Sequence, residues 1–320
     1  MTGTALVLSG GGAPAAYFGA GVIRALEEAG ERPTVLSGVS AGAINACVVG
    51  AGTDAETLAR MWCDIRWHDI YRPRLDLWRA VNVRQLLRPR LNLVEYALDA
   101  VGWTWLLDTA PARRTLATYL GGTAIQPRSG VTVVVSAVDQ STGNVVRFCS
   151  APPPPERYDA TFRTVDLTVD HVLASAAVPM LFPPGSNSDG HGLVDAGLVT
   201  NTPLAPAMRY QPDRVIVASG AGITRPAPTP TSLGAAMALL ADNVVHFALT
   251  ADLDHAKTVN QLARAAPEAT VKRDVPILLI EPAELGFSVN DFLNFEPGRA
   301  KKIIEYGREQ AGKALAEWNP

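Results

Sequence analysis

The stretch Leu36-Ser37-Gly38-Val39-Ser40-Ala41-Gly42-Ala43-Ile44-Asn45 limits this chain more than any other. A short apolar run, Thr34 to Leu36, precedes Gly38-x-Ser40-x-Gly42, and an alanine-rich run, Ala41 to Gly50, follows it. That order predicts a serine at a strand-to-helix corner. Such a corner crowds the backbone against itself, so positions two before and two after the serine have to lack side-chain bulk. Gly38 and Gly42 fill them. The turn lifts the Ser40 hydroxyl above the sheet, and the free N–H groups and positive dipole end of the next helix point at whatever binds there. Gly and Ser are also ordinary turn residues, so the motif alone leaves a plain turn open.

Ala5 to Ser9 reads as a buried first strand, broken by Gly10-Gly11-Gly12. A helix follows from near Pro14, with Phe18, Val22, Ile23 and Leu26 at helical spacing and a stop at Gly30. Strand, glycine loop and helix can make a nucleotide site. This loop, however, lacks the Lys-Ser/Thr ending of a phosphate loop and the Gly-x-Gly-x-x-Gly spacing of a dinucleotide fold. Backbone N–H donors for the oxygen that turns negative when an ester carbonyl is attacked are the other reading.

Val131 to Val138 is β-branched and predicts a central strand, and the Gly143 turn into Val145 to Phe148 predicts an adjacent partner. A short helical segment follows Asp170 and stops at Pro179; Gly185 to Gly192 reads as a polar loop. Then comes Leu193-Val194-Asp195-Ala196-Gly197. An acid between an apolar strand end and a glycine turn is either a turn-capping aspartate or a functional carboxylate. Arg214 to Ser219 and Val275 to Glu281 predict further strands. A helix from about Leu233 to Leu262 carries Met237, Leu240, Val244, Phe247 and Leu249 against polar neighbours, and a terminal helix spans Pro297 to Trp318. Strands alternating with helices predict an α/β fold with a mostly parallel sheet covered on both faces. Nothing reads as a linker, so residues 1–320 are expected to form one domain.

Residues 53 to 120 have a composition of their own and read as a mostly helical cap. They hold five of the six tryptophans, and from Arg60 to Arg114 ten arginines face six acids. Two readings stand: aromatics and cations that meet an anionic membrane surface, or a packed insertion with tryptophan in its core.

A net charge of −3 argues against a nucleic-acid binder. Cys47, Cys63 and Cys149 form neither a disulfide framework nor a zinc pattern and suit a reducing, cytoplasmic setting. No apolar run approaches the roughly 20 residues that span a bilayer, and the first residues carry no secretory pattern. Contact with a membrane would be peripheral.

Three blocks in order, Gly10-Gly11-Gly12, Gly38-Val39-Ser40-Ala41-Gly42 and Asp195-Ala196-Gly197, resemble the patatin-like phospholipases. Ala174-Ser175-Ala176-Ala177-Val178-Pro179 and Asn201-Thr202-Pro203-Leu204 resemble the segments flanking that family's aspartate. The resemblance implies a three-layer α/β/α fold with a helical insertion after the nucleophile helix. It also implies a lipid acyl hydrolase that needs no metal or cofactor and acts on phospholipid, lysophospholipid or neutral lipid. By the same resemblance Ser40 is the nucleophile, Asp195 its base, and Gly10, Gly11 and Gly12 the oxyanion donors. Two positions depart from the pattern: Pro14-Ala15 stands where the family has a basic residue and glycine, and Ala196 where glycine is commoner. The first departure keeps open a catalytically weak lipid-binding protein on the same fold, and an acyl-enzyme also suits an acyltransferase. A Ser-acid-His triad through His246 or His255 is the other-fold alternative, and His191 is the histidine nearest Asp195 in sequence.

Overall fold

In the computed structural model, residues 3–76, 82, 101–186, 190–220, 229–266, 268, 273–283 and 292–318 are described. β1 (Thr4–Leu8), β2 (Val35–Val39) and β5 (Thr132–Asp139) form the middle of a sheet that β10 (Arg214–Ala218) and β11 (Ile277–Ile280) continue beyond β1. The five strands β11-β10-β1-β2-β5 are mutually parallel, with Leu6 beside Leu36 and Leu36 beside Val133. Every residue of β1 and β2 is buried, which is why those segments are apolar almost throughout instead of alternating. β6 (Val145–Cys149) then pairs antiparallel with β5, and β7 (Phe162–Thr164) parallel with β6.

Helices cover both faces. On one side lie α1 (Gly12–Glu28), α2 (Ala41–Gly50), α3 (Ala55–Asp64) and the terminal helix α9 (Pro297–Glu317). On the other side α7 (Leu204–Arg209) and α8 (Leu233–Ala265) pack on Ala5, Val7, Val35, Val215 and Val217. α8 turns inward a different stripe from the one its sequence suggested. Val245, Leu249, Leu253, Ala256 and Ala263 are buried, while Leu240 and Phe247 face solvent. Spacings of three and four from Val245 to Ala256 make one face; Phe247 lies off it.

Among its described residues, the cap contains a short ribbon as well as helices. Between α4 (Trp67–Ile70) and α5 (Ala110–Tyr119), the strands β3 (Arg72–Pro73) and β4 (Leu107–Asp108) pair antiparallel. Residues 77–81 and 83–100, Trp78 among them, lie outside the described residues. The other cap tryptophans divide. Trp62 is buried and donates Nε1–H to Asn45 Oδ1 at 2.7 Å, whereas Trp103 and Trp105 lie 5.0 and 3.8 Å from the Arg74 guanidinium. The polar loop expected from Gly185 to Gly192 contains a short strand, β8 (Gly185–Ser186), which pairs with β9 (Gly192–Asp195).

α9 lies directly on α1 because neither helix has a side chain where they cross. A methyl on Gly21 would overlap the Ile304 carbonyl, and one on Gly307 would overlap the Phe18 carbonyl. Gly312, on the same terminal helix, has nothing within 4 Å of a methyl. Gly21→Ala is therefore expected to lower unfolding free energy by about 1–3 kcal/mol. Gly312→Ala should leave it unchanged or raise it by about 0.5–1 kcal/mol. Urea denaturation of the two variants checks the contrast.

Candidate active site

Two strands meet end to end on one edge of β5. β2 runs parallel to β5 and stops at Val39, opposite Ser136; β9 runs antiparallel along the same edge and stops at Asp195, opposite Ala137. Ser136 and Ala137 are neighbours, so residues 155 apart in sequence are brought together by adjacent positions of a single strand. Ser40 leaves β2 with φ 54° and ψ −126°, a conformation costly for any residue with a side chain. Its side chain lies beside the Asp195 carboxylate, near enough to oppose the rise in that group's pKa, and both residues are 7 % exposed.

The glycines of the corner are sterically required. A methyl on Gly38 would sit 2.5 Å from the Gly42 carbonyl oxygen, and one on Gly42 would overlap the Leu8 carbonyl. The strained serine is also held from behind. Its backbone N–H donates to Ser175 Oγ at 3.0 Å, and the Ser175 hydroxyl donates to the Ser136 carbonyl at 2.6 Å. Ser175 closes α6 (Val169–Ser175) and is fully buried, so nucleophile, helix end and central strand are tied through one hydroxyl. The segment around Ser175 was visible in the sequence, but its role was not, because the bond spans 135 residues.

Asp195 is fixed by its own turn. Its N–H donates to the Ala177 carbonyl at 3.0 Å, and its Oδ1 accepts the Gly197 N–H at 2.7 Å. Burial pushes the carboxyl up to about 6, against the opposing effect of the Ser40 and Gly197 hydrogen bonds. The turn-capping reading of this aspartate is therefore met by the Gly197 bond, and the same carboxylate sits beside Ser40. Ala196 has negative φ, and its methyl packs with Val39, Val138 and Val194, so the departure from glycine is accommodated.

The glycine loop lies beside this pair. Gly10 is so close that a methyl there would sit 3.1 Å from Ser40 Cβ and 2.7 Å from Asn201 Oδ1. Its N–H donates to the Asn201 carbonyl at 3.2 Å, so Gly10 joins the loop to the aspartate turn, where three free donors had been expected. Among the described residues, the N–H groups of Gly11 and Gly12 have no partner; both residues have positive φ, 135° and 64°. Ala15, part of the first departure, packs where only glycine fits opposite: a methyl on Gly220 would collide with it.

A narrow cavity of about 70 Å³ opens from Ser40. Ile44, Trp62, Ile70, Leu116, Phe182 and Phe292 are among its walls; among the described lining residues Ser40 and Thr109 alone bear hydroxyls and none is charged. The sequence gave no sign that residues 292–295 close over the loop. Phe292 accepts the Ala13 N–H at 2.9 Å, Leu293 accepts the Tyr71 hydroxyl at 3.0 Å, and Phe295 stacks on Trp62.

The histidines lie elsewhere. His191 sits 3.1 Å from Asp139 Oδ2 and 3.0 Å from Ser141 Oγ, through the same ring nitrogen. Ser141 and His191 together hold the Asp139 carboxyl at about 2. His171 caps α6 through Thr168. His246 and His255 are on α8, and neither hydrogen-bonds to Asp195.

A family model described as patatin-like phospholipase matches residues 6–208. Among solved structures, the chain is similar to VipD from Legionella pneumophila, at 15% identity over 99% of this chain and 67% of that one, with a TM-score of 0.46. It is also similar to the type III effector protein ExoU, at 13% identity over 99% of this chain and 53% of that one, with a TM-score of 0.34. Among curated proteins none matches. Among the described residues no helix is long and apolar enough to cross a membrane.

The Asp195 carboxyl titrates near 6 when folded and near its ordinary 3.8 when unfolded. Between those values the folded chain holds the extra proton, so stability falls as pH rises from about 4 to 6 and stays lower above. Asp195→Asn should accordingly be more stable than wild type at pH 7 by about 2–3 kcal/mol, the difference fading towards pH 4. Urea unfolding across that range measures it.

Proposed function

Since the chain belongs to the patatin-like phospholipase family, we propose that it is a lipid acyl hydrolase working through a Ser40–Asp195 dyad. The observation that carries this is the placement of the buried Ser40 side chain beside a buried carboxylate of raised basicity, at the foot of an apolar cavity. A serine hydroxyl is a weak nucleophile until a neighbouring base takes its proton, and desolvation makes the Asp195 carboxylate a better base.

The acyl chain of an ester lies along Ile44, Trp62, Leu116 and Phe292, which offer it only apolar surface. Its carbonyl carbon then sits beside Ser40 Oγ. As Asp195 takes the proton, the Ser40 oxygen bonds to that carbon and the carbonyl π electrons move to its oxygen. Gly11 and Gly12 donate their N–H groups to this oxyanion, supported by the positive end of α2. Collapse expels the alcohol, which takes the proton from Asp195, and leaves the acyl group on Ser40. Water, deprotonated by the same carboxylate, opens the acyl-enzyme to release the fatty acid and restore the serine. Ser175 acts as a positioning residue, because its hydroxyl holds the backbone of the nucleophile in its strained form. Among the described residues of the cavity wall none is charged, so the acyl chain carries recognition.

Turnover of a p-nitrophenyl acyl ester should fall at least about 1000-fold in Ser40→Ala and in Asp195→Asn, both with native circular dichroism. In the wild type, kcat/KM should rise with pH through a limb near 6, where Asp195 becomes a carboxylate. A fluorophosphonate should label Ser40. Retained turnover in either variant, or no labelling, would sink the dyad.

A further inference from the structure

We infer that the mouth of the Ser40 cavity docks on a lipid bilayer through an apolar rim of Trp67, Leu75, Leu106 and Met180, without dependence on anionic lipid. This rests on the reading of the cavity as an acyl-chain site, and it adds the surface from which the chain is drawn.

Four large apolar side chains stand in water around one opening: Leu75 is 88 % exposed, Met180 62 %, Leu106 47 % and Trp67 47 %. Their mutual position follows from the bonds between their neighbours. Val178 and Phe182 line the cavity, and Met180 lies between them in sequence. The Leu181 carbonyl accepts the N–H groups of Leu106 and Leu107, and Trp105 bridges to Met180. Arg74 donates to the Trp105 carbonyl, with Leu75 next to it in the chain. Trp67 packs on Tyr71 at 5.8 Å, and Tyr71 on Phe182 at 6.3 Å.

Met180 is the most telling of the four. It has φ 67°, which costs a bulky residue about 1–3 kcal/mol. The strain persists because hydrogen bonds on either side over-determine the loop: Leu181 and Phe182 both donate to the Val178 carbonyl. Its effect is to send Met180 outward while Val178 and Phe182 turn in. A strained backbone that exposes a methionine at the lip of an apolar cavity gains when an apolar medium covers it, at about 25 cal/mol per Å² of surface removed from water.

The occupant is identified by continuity and by charge. The rim runs into a cavity with no charged residue in its lining, so the medium that covers the one supplies the chain that fills the other. The ribbon's cations are already neutralised. Arg72 lies 2.7 Å from the Asp108 carboxylate, and Arg74 donates to Asp76 at 2.8 Å. Among the described residues of the ribbon, attraction to anionic headgroups, one reading of the arginine-rich composition, therefore has little unpaired charge to act on.

The test uses the full chain as Ser40→Ala, so that vesicles are not consumed, sedimented with sucrose-loaded vesicles. One set is pure phosphatidylcholine and the other about one-third phosphatidylglycerol. The expected result is partitioning onto both sets that agrees within about twofold and is insensitive to salt. Adding Met180→Asp and Leu75→Asp should weaken it at least about tenfold. Aspartate tolerates positive φ better than methionine, and an unchanged thermal midpoint confirms folding. In the Ser40 background the same two substitutions should leave turnover of water-soluble p-nitrophenyl butyrate unaltered while lowering hydrolysis of vesicle lipid about tenfold. The inference is overturned if the rim variants sediment like their parent, if binding requires phosphatidylglycerol or disappears with salt, or if the rim instead pairs two copies of the chain in sedimentation velocity. If wild type leaves the soluble ester intact, the hydrolase reading fails, and the sedimentation arm still decides the rim.

Discussion

A carboxylate and a hydroxyl buried together at the junction of two strand ends form the interaction on which the rest of this molecule depends. Neither group would stay in place alone. The aspartate resists ionisation where it sits, because burial raises the energy of its charged form. The serine sits in a backbone conformation that an unconstrained chain would leave. β5 solves the placement problem: Ser136 and Ala137 take the ends of β2 and β9 on one edge, and ordinary ladder hydrogen bonds then set the separation of the two side chains.

Around that junction the structure substitutes close backbone contact for side chains. Gly38 and Gly42 let the α2 end approach β1 and β2, and Gly10 lets the loop lie against Ser40 Cβ. Each contact leaves no room for adjustment, so the strained corner cannot relax without moving the centre of the sheet. Buried hydrogen bonds complete the clamp. Ser175 reaches Ser40 from α6, Asn201 reaches Gly10 from the aspartate turn, and Ser37 donates to the Pro203 carbonyl at 2.8 Å. All three join segments that are far apart along the chain, so the site forms only as the whole domain packs.

The insertion between α3 and β5 does the opposite kind of work. Its short ribbon and helices contribute apolar walls on one side and apolar rim on the other, and among its described arginines Arg72, Arg74 and Arg113 pair with nearby aspartates. Arg74 illustrates the economy: one guanidinium pairs with Asp76, donates to the Trp105 carbonyl and lies over the Trp103 and Trp105 rings. Arg74, Trp103 and Trp105 therefore pack on one another, an outcome for these three residues beside the membrane-facing and core readings of the composition.

The α/β class, the strand-to-helix corner at Ser40 and the aspartate at a strand end were all legible in the sequence. Each is set by neighbours a few residues away: apolar runs of strand length, glycines two positions from a serine, a glycine two positions after an acid. Composition does not show which of the cap's arginines already pair with aspartates, as Arg72 and Arg74 do, and periodicity misled on α8, where Phe247 fits an apolar pattern yet faces water. Only the tertiary structure decided that Ser40 meets Asp195, that Ser175 braces one and Asn201 links the loop to the other, that Gly10 is a tie, and that residues 292–295 close the cavity. The physical reason is the same in each case. A hydrogen bond or steric contact between residues more than a hundred positions apart depends on strand order and register, and local sequence carries neither.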